Sequence, residues 1–368
     1  MPAGRNRKKT KRHGGEAALK IAVIVLAIFV LAGASVLAFT VPLSMWKALA
    51  RDMLGEHLGV IRMMGPWKKN AQSAYEQMLD MKQEIGDDAI AWFVQTDLHG
   101  RNMPIAKWMY KKDPSVRNIV LGDVVTDYFN EKELTAFHKS MEKVGNKICV
   151  YGNHDICTKS QELASYDRLT HFFASDDMKA ESGRGYFAVA DDALRVKYLV
   201  ISPYEIDREK GNNGVRVRVG SDQMTWLLGE LGAEDGYDIV VLMHQLFTNT
   251  YTTRAGEMQK SGDEPKILQE IWRVMKDRRN GRSGSIVDDD GVEHAYDFAG
   301  MNTDILCSLH GHWHEEMMLT DDGMTAYAAR WLGNEYSCAF GLIDREKEAM
   351  YIWQFDRTQV YDRLTLEI

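Results

Sequence analysis

The sequence predicts an α/β domain, strands layered with helices, set behind a basic tail and a long apolar segment. Three observations predict it. From Ala89 onward, short apolar runs recur and several are closed by polar, glycine-containing loops. Helical stretches lie between some of these runs, and strands alternating with helices build such layered sheets. Asp, Asn and His residues gather at the ends of the runs, where an open α/β sheet binds its ligands.

The basic tail comes first. Residues 1–20 carry seven Lys/Arg and one acid, a net of +6 against −8 for the whole chain, which leaves −14 for the rest. Residues 21–46, "IAVIVLAIFVLAGASVLAFTVPLSMW", hold no charge. About 20 apolar residues span a bilayer's hydrocarbon, so this run is long enough for a transmembrane signal-anchor helix. All of the basic flank is N-terminal, so the positive-inside rule keeps residues 1–20 in the cytoplasm and exports the chain beyond Trp46. A secretory signal peptide cut near "AGA", Ala32 to Ala34, has the same order of parts. A buried core helix is the third reading, and the basic tail argues against it. The expected address is the cell membrane, with the main domain extracytoplasmic.

Residues 47–88 read as a helical spacer beside the membrane, packed on the next domain. Leu49, Met53, Leu54, Leu58 and Ile61 recur near a 3.6 period. Gly65-Pro66 breaks the pattern, and "WKKNAQSAYEQMLDMKQEIG" is a second helix ending at Gly86. A dimerisation helix is the alternative. The main domain is then residues 89–368. Its strands are "AIAWFVQTD", "NIVLGD", "KICVYGNHD", "KYLVISP", "DIVVLMHQ" and "DILCSLHGH". Asn130 with Glu133 opens a helix in capping-box fashion. A second helix opens at Ser221 and ends on Gly232. The segment from Thr325 to Asp356 reads as further antiparallel strands. Cys149, Cys157, Cys307 and Cys338 form no CxxC pair and read as buried free thiols. Disulfides stay open as an alternative, because the domain is placed in an oxidising compartment.

Five strand ends bring Asp97 with His99, Asp123, Asn153, His244, and His312 with His314 to one edge. Residues i and i+2 of an extended segment face one side, so Asp97 can share a site with His99, and His312 with His314. His310 would join that face, but Gly311 interrupts the strand. Imidazole and carboxylate suit zinc, manganese, iron or nickel rather than calcium. The absence of a thiolate from the set argues against a structural zinc knot. Seven ligands are too many for one ion and suit two.

The order "DLH", "GDVVTD", "GNHD", "MHQ", "GHWH" resembles the motif series of the calcineurin-like metallophosphoesterase superfamily. "SDQMTWLLGEL" is similar to that family's helix before the fourth motif. The resemblance covers Ala89 to the C-terminus. It implies a four-layer α/β/β/α sandwich of two mixed sheets around two transition-metal ions (manganese, iron or zinc). By the same resemblance, Asp97, His99 and His314 bind the first metal, Asn153, His244 and His312 the second, and Asp123 bridges both. His154 binds no metal and faces the scissile phosphate. His310 becomes a packing residue behind the ligands. The implied reaction is hydrolysis of phosphate mono- or diesters by a metal-bridging hydroxide. One departure stands out. The family's second aspartate falls here on Thr126, with the acid displaced to Asp127, which puts its structural role in doubt.

The substrate is less legible. An external location favours a small phosphoester or an envelope component. The acidic body disfavours nucleic acid, whose backbone needs a basic stripe, although a nuclease of the same superfamily is a chemical alternative. A non-catalytic scaffold is the other alternative, and its mark would be missing ligands. Between His244 and His310 the chain predicts a helix, "PKILQEIWRVMKDRR", and a β-hairpin turning at "DDDG". Arg278, Arg279 and Arg282 read either as phosphate contacts or as a solvated helix end. His294 reads as a surface residue. Trp313 reads either as a wall of the site's mouth or as packing beside the metals.

Overall fold

The computed structural model describes residues 65–101, 104–156, 165–173, 184–206, 215–260, 265–333 and 336–368. The basic tail, the apolar segment 21–46 and residues 47–64 of the spacer lie outside them. Among the described residues no helix is long and apolar enough to cross a membrane.

Two large mixed sheets form the centre. The first contains β1 (Ile90–Gln95), β2 (Arg117–Val120), β3 (Lys147–Cys149), β16 (Cys338–Asp344), β17 (Ala349–Phe355) and β18 (Leu364–Glu367), in the order β18-β17-β16-β1-β2-β3. Strands β1, β2 and β3 are parallel, with Trp92 opposite Arg117 and Asn118 opposite Lys147. Strands β16 to β18 return antiparallel, Ile90 facing Ile343. The second sheet contains β4 (Phe187–Asp191), β5 (Val196–Val200), β8 (Asp238–Leu242), β9 (Thr250–Thr253), β10 (Met258–Lys260), β13 (Ile305–His310), β14 (Met317–Asp321) and β15 (Met324–Ala328). Its order is β10-β9-β14-β15-β13-β8-β5-β4. Here β5, β8, β13 and β15 are parallel. The antiparallel expectation for the C-terminal region therefore holds for β16 to β18 and for one edge of β15, which is antiparallel to β14 but pairs in parallel with β13, Ser308 opposite Ala326. Two small hairpins complete the strands: β6 (Tyr204–Ile206) with β7 (Val215–Val217), and β11 (Ser283–Val287) with β12 (Glu293–Asp297).

Side-chain alternation separates two cores. From β5 and β8, Tyr198, Val200, Val240 and Leu242 join the core shared with the first sheet. Their neighbours Leu199, Val241 and Met243 join a second core. Successive residues of a strand point to opposite faces, so the second sheet is covered on both. The first core takes in α1, the helix over residues 65–85, through Trp67, Ala71, Ala74, Tyr75 and Met78. It also takes in α2 (Pro104–Lys112) through Met109 and α3 (Glu131–Met141) through Leu134 and Phe137. The short helices α4 (Asn153–Ile156) and α5 (Tyr166–Phe173) add Ile156, Leu169 and Phe173 to it. The second core is closed by α6 (Ser221–Leu231), through Met224, Leu227 and Leu231, and by α7 (Lys266–Arg279), through Leu268, Ile271 and Met275. The compact unit spans Met64–Ile368, and the apolar face of α1 is buried in its core.

Local details sharpen several sequence expectations. Asn130 caps α3 by accepting the Glu133 amide, but the Glu133 carboxylate turns away to accept the amide and hydroxyl of Thr126. Gly220, not Ser221, caps α6, and the Ser221 hydroxyl donates to Asp288 in the β11–β12 turn. Arg278 is buried and donates to the carbonyls of Leu231 and Thr303. Arg279 donates to the Ile305 carbonyl, and Arg282 pairs with Asp322. Arg278 and Arg279 thus lock α7 onto its neighbours and are not a solvated helix end, whereas Arg282, beyond the helix, is half exposed. His294 is only partly exposed and pairs with Asp288 at 2.7 Å. Cys149, Cys307 and Cys338 are buried free thiols; Cys157 lies outside the described residues.

Trp67 is 1% exposed, and removing a buried indole costs about 3–5 kcal/mol. Trp67→Ala should therefore lower unfolding stability in urea by that amount. A loss under about 1 kcal/mol would mean α1 stands apart from the core.

Candidate metal centre

The site forms where the two sheets meet at the C-terminal ends of β1, β2, β3, β8 and β13. The loops interlock through backbone bonds. The Asp97 amide donates to the Gly122 carbonyl at 3.0 Å, the His99 amide to Asp123 at 2.9 Å, and the Gly311 amide to His244 at 3.0 Å. Side chains complete the seam. The His312 amide and the Thr96 hydroxyl donate to Asp97 Oδ2 at 2.9 and 2.7 Å. A Cβ on Gly311 would lie 1.9 Å from Thr96 Oγ1, so no larger residue fits where β13 passes β1.

The backbone is unusual at the candidate ligands. Asp97, His99, Asp123, His312 and His314 all have φ between 46° and 76°. Such left-handed conformations cost non-glycine residues of order 1 kcal/mol or more each, and they collect at functional sites. This corrects the expectation of extended segments. Asp97 shares a site with His99, and His312 lies close to the same centre as His314, because the loops curl, not because strand pleating aims alternate residues one way.

Three groups of ligand atoms lie within 4.8 Å of one another: Asp97 with His99 and His314, Asp123 with His244 and His312, and His99 with Asp123 and His154. Asp97 Oδ1 is 3.2 Å from His314 Nε2, which is 3.3 Å from His99 Nε2. Asp123 Oδ2 is 3.3 Å from His244 Nε2 and 4.0 Å from His99 Nε2, so it stands between the first two groups. Asn153 Oδ1 lies 3.0 Å from His312 Nδ1. The structure thus brings all seven sequence-predicted ligands to one place. His154 sits at their edge: its amide donates to Asp123 Oδ1, its ring packs edge-on against His99, and its Nδ1 lies 3.1 Å from the Thr126 carbonyl. A carbonyl only accepts, so that Nδ1 carries a proton. Thr126, where the family pattern has an acid, therefore holds His154 through its backbone, while Asp127 accepts the Phe129 amide in a local turn. His310 lies outside the ligand groups. Its Nδ1 donates to the Gln245 carbonyl and its Nε2 meets Ser308 Oγ, so both ring nitrogens are engaged.

The donor set fits metal ions. Asp97, Asp123 and His244 are at most 2% exposed. Asp97 Oδ1 and His244 Nε2 are buried without a hydrogen-bond partner, and both face the cluster. Buried polar atoms are otherwise almost always paired. His244 Nδ1 is committed to the Leu121 carbonyl, which leaves Nε2 as its ligating atom. Burial, the largest single influence, pushes the Asp97 and Asp123 carboxyls up, but the charge on His244 together with hydrogen bonds, from His314 and Thr96 to Asp97 and from His244 and the His154 amide to Asp123, outweighs it and holds both below the usual carboxylate range. Burial pushes His244 down, and those two carboxylates outweigh it, raising the imidazole to about 9. Burial lowers His312 to about 4 and also lowers His99.

Two contributors were not singled out from sequence. Asp155, the last residue of "GNHD", is fully buried and accepts the amides of Gly152, Val124 and Val125, fixing two ligand loops. Trp331 lies parallel to the His314 ring, centroids 4.5 Å apart at 2°. No motif reaches it. Beside His314 opens a cleft of about 450 Å³, lined by Trp313, Trp331, Arg254, Arg330 and Tyr361. Trp313 both lines this cleft and packs on the second core.

The arrangement, two stacked sheets with a dicarboxylate-imidazole cluster on their joined edge, decides the architecture. The two mixed sheets and the Asp/His cluster agree with the layers and ligand set that the motif resemblance implies. No family model matches the chain, and no curated protein matches it. Among solved structures it is similar to a dimetal phosphatase from Danio rerio, at 12% identity and TM-score 0.49, over 76% of this chain and 98% of that one. It is also similar to a putative 5'-nucleotidase from Staphylococcus aureus, at 12% identity and TM-score 0.39, over 76% and 54%. A third is the anchor in the inner membrane complex of Plasmodium, at 10% identity and TM-score 0.45, over 76% and 88%. Likenesses at these values carry no argument about chemistry, which rests on the ligand geometry of the site itself.

The His244 pair has a pH consequence. Its folded value, about 9, lies above the ordinary 6.5. Its contribution to the metal-free fold is thus complete below about pH 6.5 and is lost as pH rises through about 9. The denaturation midpoint of metal-stripped protein should fall across that window. Because ligation needs the neutral ring, metal binding at pH 7.5 should release about one proton from His244, measurable by calorimetry in buffers of different ionisation enthalpy. Binding without proton release would contradict the assignment.

Proposed function

We propose that the chain is a metal-dependent hydrolase of phosphoric ester bonds. One observation carries this reading: two ligand groups, each buried on one side, meet at Asp123 with an extra imidazole, His154, at their rim. Asp97, His99 and His314 would hold one ion, and Asn153, His244 and His312 the other, with Asp123 shared. Two such ions supply Lewis acidity toward the phosphoryl oxygens and a nucleophilic water at neutral pH. The remaining work belongs to the chain. His154, partly exposed, keeps one proton on Nδ1 against the Thr126 carbonyl; as the doubly protonated imidazolium it carries a second on Nε2, which it hands to the leaving oxygen, returning to the neutral ring. The cleft beside His314 receives the rest of the substrate. The complete ligand set speaks against a scaffold that has lost its chemistry.

Address follows from the sequence alone. Residues 21–46 anchor the chain in the membrane and place the domain on its outer side. The substrate is then a small phosphoester or an envelope component.

The test is to assay the full chain with manganese, zinc or iron on an aryl phosphomonoester and the matching diester side by side. Turnover of at least one supports the reading, and no turnover with any metal contradicts it. Asp123→Asn should lose both activity and metal. His154→Ala should lower the rate by about 10²–10⁴ with metal content unchanged. An Ala variant as active as the parent would remove His154 from the chemistry.

A further inference from the structure

The candidate ligands differ in how firmly they are held. The Asp97 and His244 side chains are fully buried, Asp123 is 2% exposed and His99 15%, but His314 is 41% exposed. His314 is thus open to solvent on a loop whose φ of 63° is itself unfavourable. Among the described contacts, what meets its ring outside the cluster is Trp331, parallel at 4.5 Å. The Trp331 indole is in turn fixed from behind. Gly333 has φ +47°, and a Cβ there would lie 2.5 Å from indole Cε2, so the ring rests on bare backbone. Leu332, between them, donates its amide to the Thr96 carbonyl at 3.0 Å, next to Asp97. The segment that carries Trp331 is therefore tied to the β1 loop, and the indole is a fixed plate against which the His314 ring lies.

We propose that Trp331 is a positioning residue for His314 and that occupancy of the Asp97–His99–His314 site depends on it, while the Asp123–His244–His312 site does not. The proposal rests on the two-ion reading above. A free imidazole on an exposed loop samples several rotamers, and ligation by His314 needs the one that puts Nε2 near Asp97 Oδ1. The indole excludes the others by occupying the space beside the ring. Ligand supports of this kind commonly govern metal affinity. The first site becomes the one that empties first when metal is scarce. The second site, whose His244 and Asp123 lie in the interior, stays filled.

Calorimetric titration of the metal-stripped full chain with zinc tests this without any substrate. The parent should show two binding steps. Trp331→Leu should weaken one step tenfold or more and leave the other within twofold, with the unfolding midpoint of the metal-free protein little changed. Trp331→Phe, which keeps a flat ring, should recover most of the loss and serves as the second variant if the Leu protein does not fold. In a His314→Ala background, Trp331→Leu should add nothing. Manganese, which quenches nearby indoles, should dim the parent's fluorescence at the weaker step more than that of Trp331→Phe. Two unchanged steps in Trp331→Leu would overturn the proposal and leave the two-ion site standing. So would equal weakening of both steps, which would mark a general structural role. No zinc binding to the parent would overturn the proposal and the two-ion reading together.

Discussion

Two carboxylates buried at the joint of two sheets govern this structure. Asp97 follows β1 and Asp123 follows β2, yet both are sealed against solvent by loops of the other sheet. Burying ionised carboxylates is costly unless positive charge meets them. Imidazoles meet them here, and His244 answers in part by keeping a proton that burial alone would remove. One buried imidazolium balances one of two charges. Metal cations would balance both and would give partners to the bare Asp97 Oδ1 and His244 Nε2.

The same pair explains the backbone around it. For acids and imidazoles from five loops to point at one volume, the loops must turn back on themselves within a residue or two. That turning falls on Asp97, His99, Asp123, His312 and His314, all left-handed. The unfavourable conformations persist because the amides of the same loops are spent on neighbouring loops and on the carboxylates. Asp155, buried behind them, takes three further amides. The fold thus supplies a frame in which functional geometry is over-determined.

Much of this frame was legible in the sequence, and the gaps have physical causes. Strands β1, β2, β3, β5, β8 and β13 stand where β-branched runs of strand length placed them, since such runs bury well on both faces. The ligand types were visible because several polar residues at strand ends have no packing use. The loop conformations were not visible, because nothing in "TDLH" or "GHWH" marks a left-handed aspartate or histidine. Arg278 looked like a solvated charge, and only the fold places carbonyls of Leu231 and Thr303 around it. Helix α1 reads as a spacer packed on the next domain, and its apolar face does lie in that domain's core; amphipathicity does not say which residues it meets there. Trp331 was invisible for the simplest reason: it lies 17 residues beyond His314, and only the parallel pairing of β13 with β15 brings the two rings together.

The central claim is that the buried carboxylates exist to share two ions. Anomalous X-ray diffraction from crystals of the metal-loaded protein tests it most directly. The account predicts two peaks flanking Asp123, one bounded by Asp97, His99 and His314 and one by Asn153, His244 and His312. A metal-saturated protein with no peak at this cluster, or with a single ion that leaves Asp123 unligated, would contradict it.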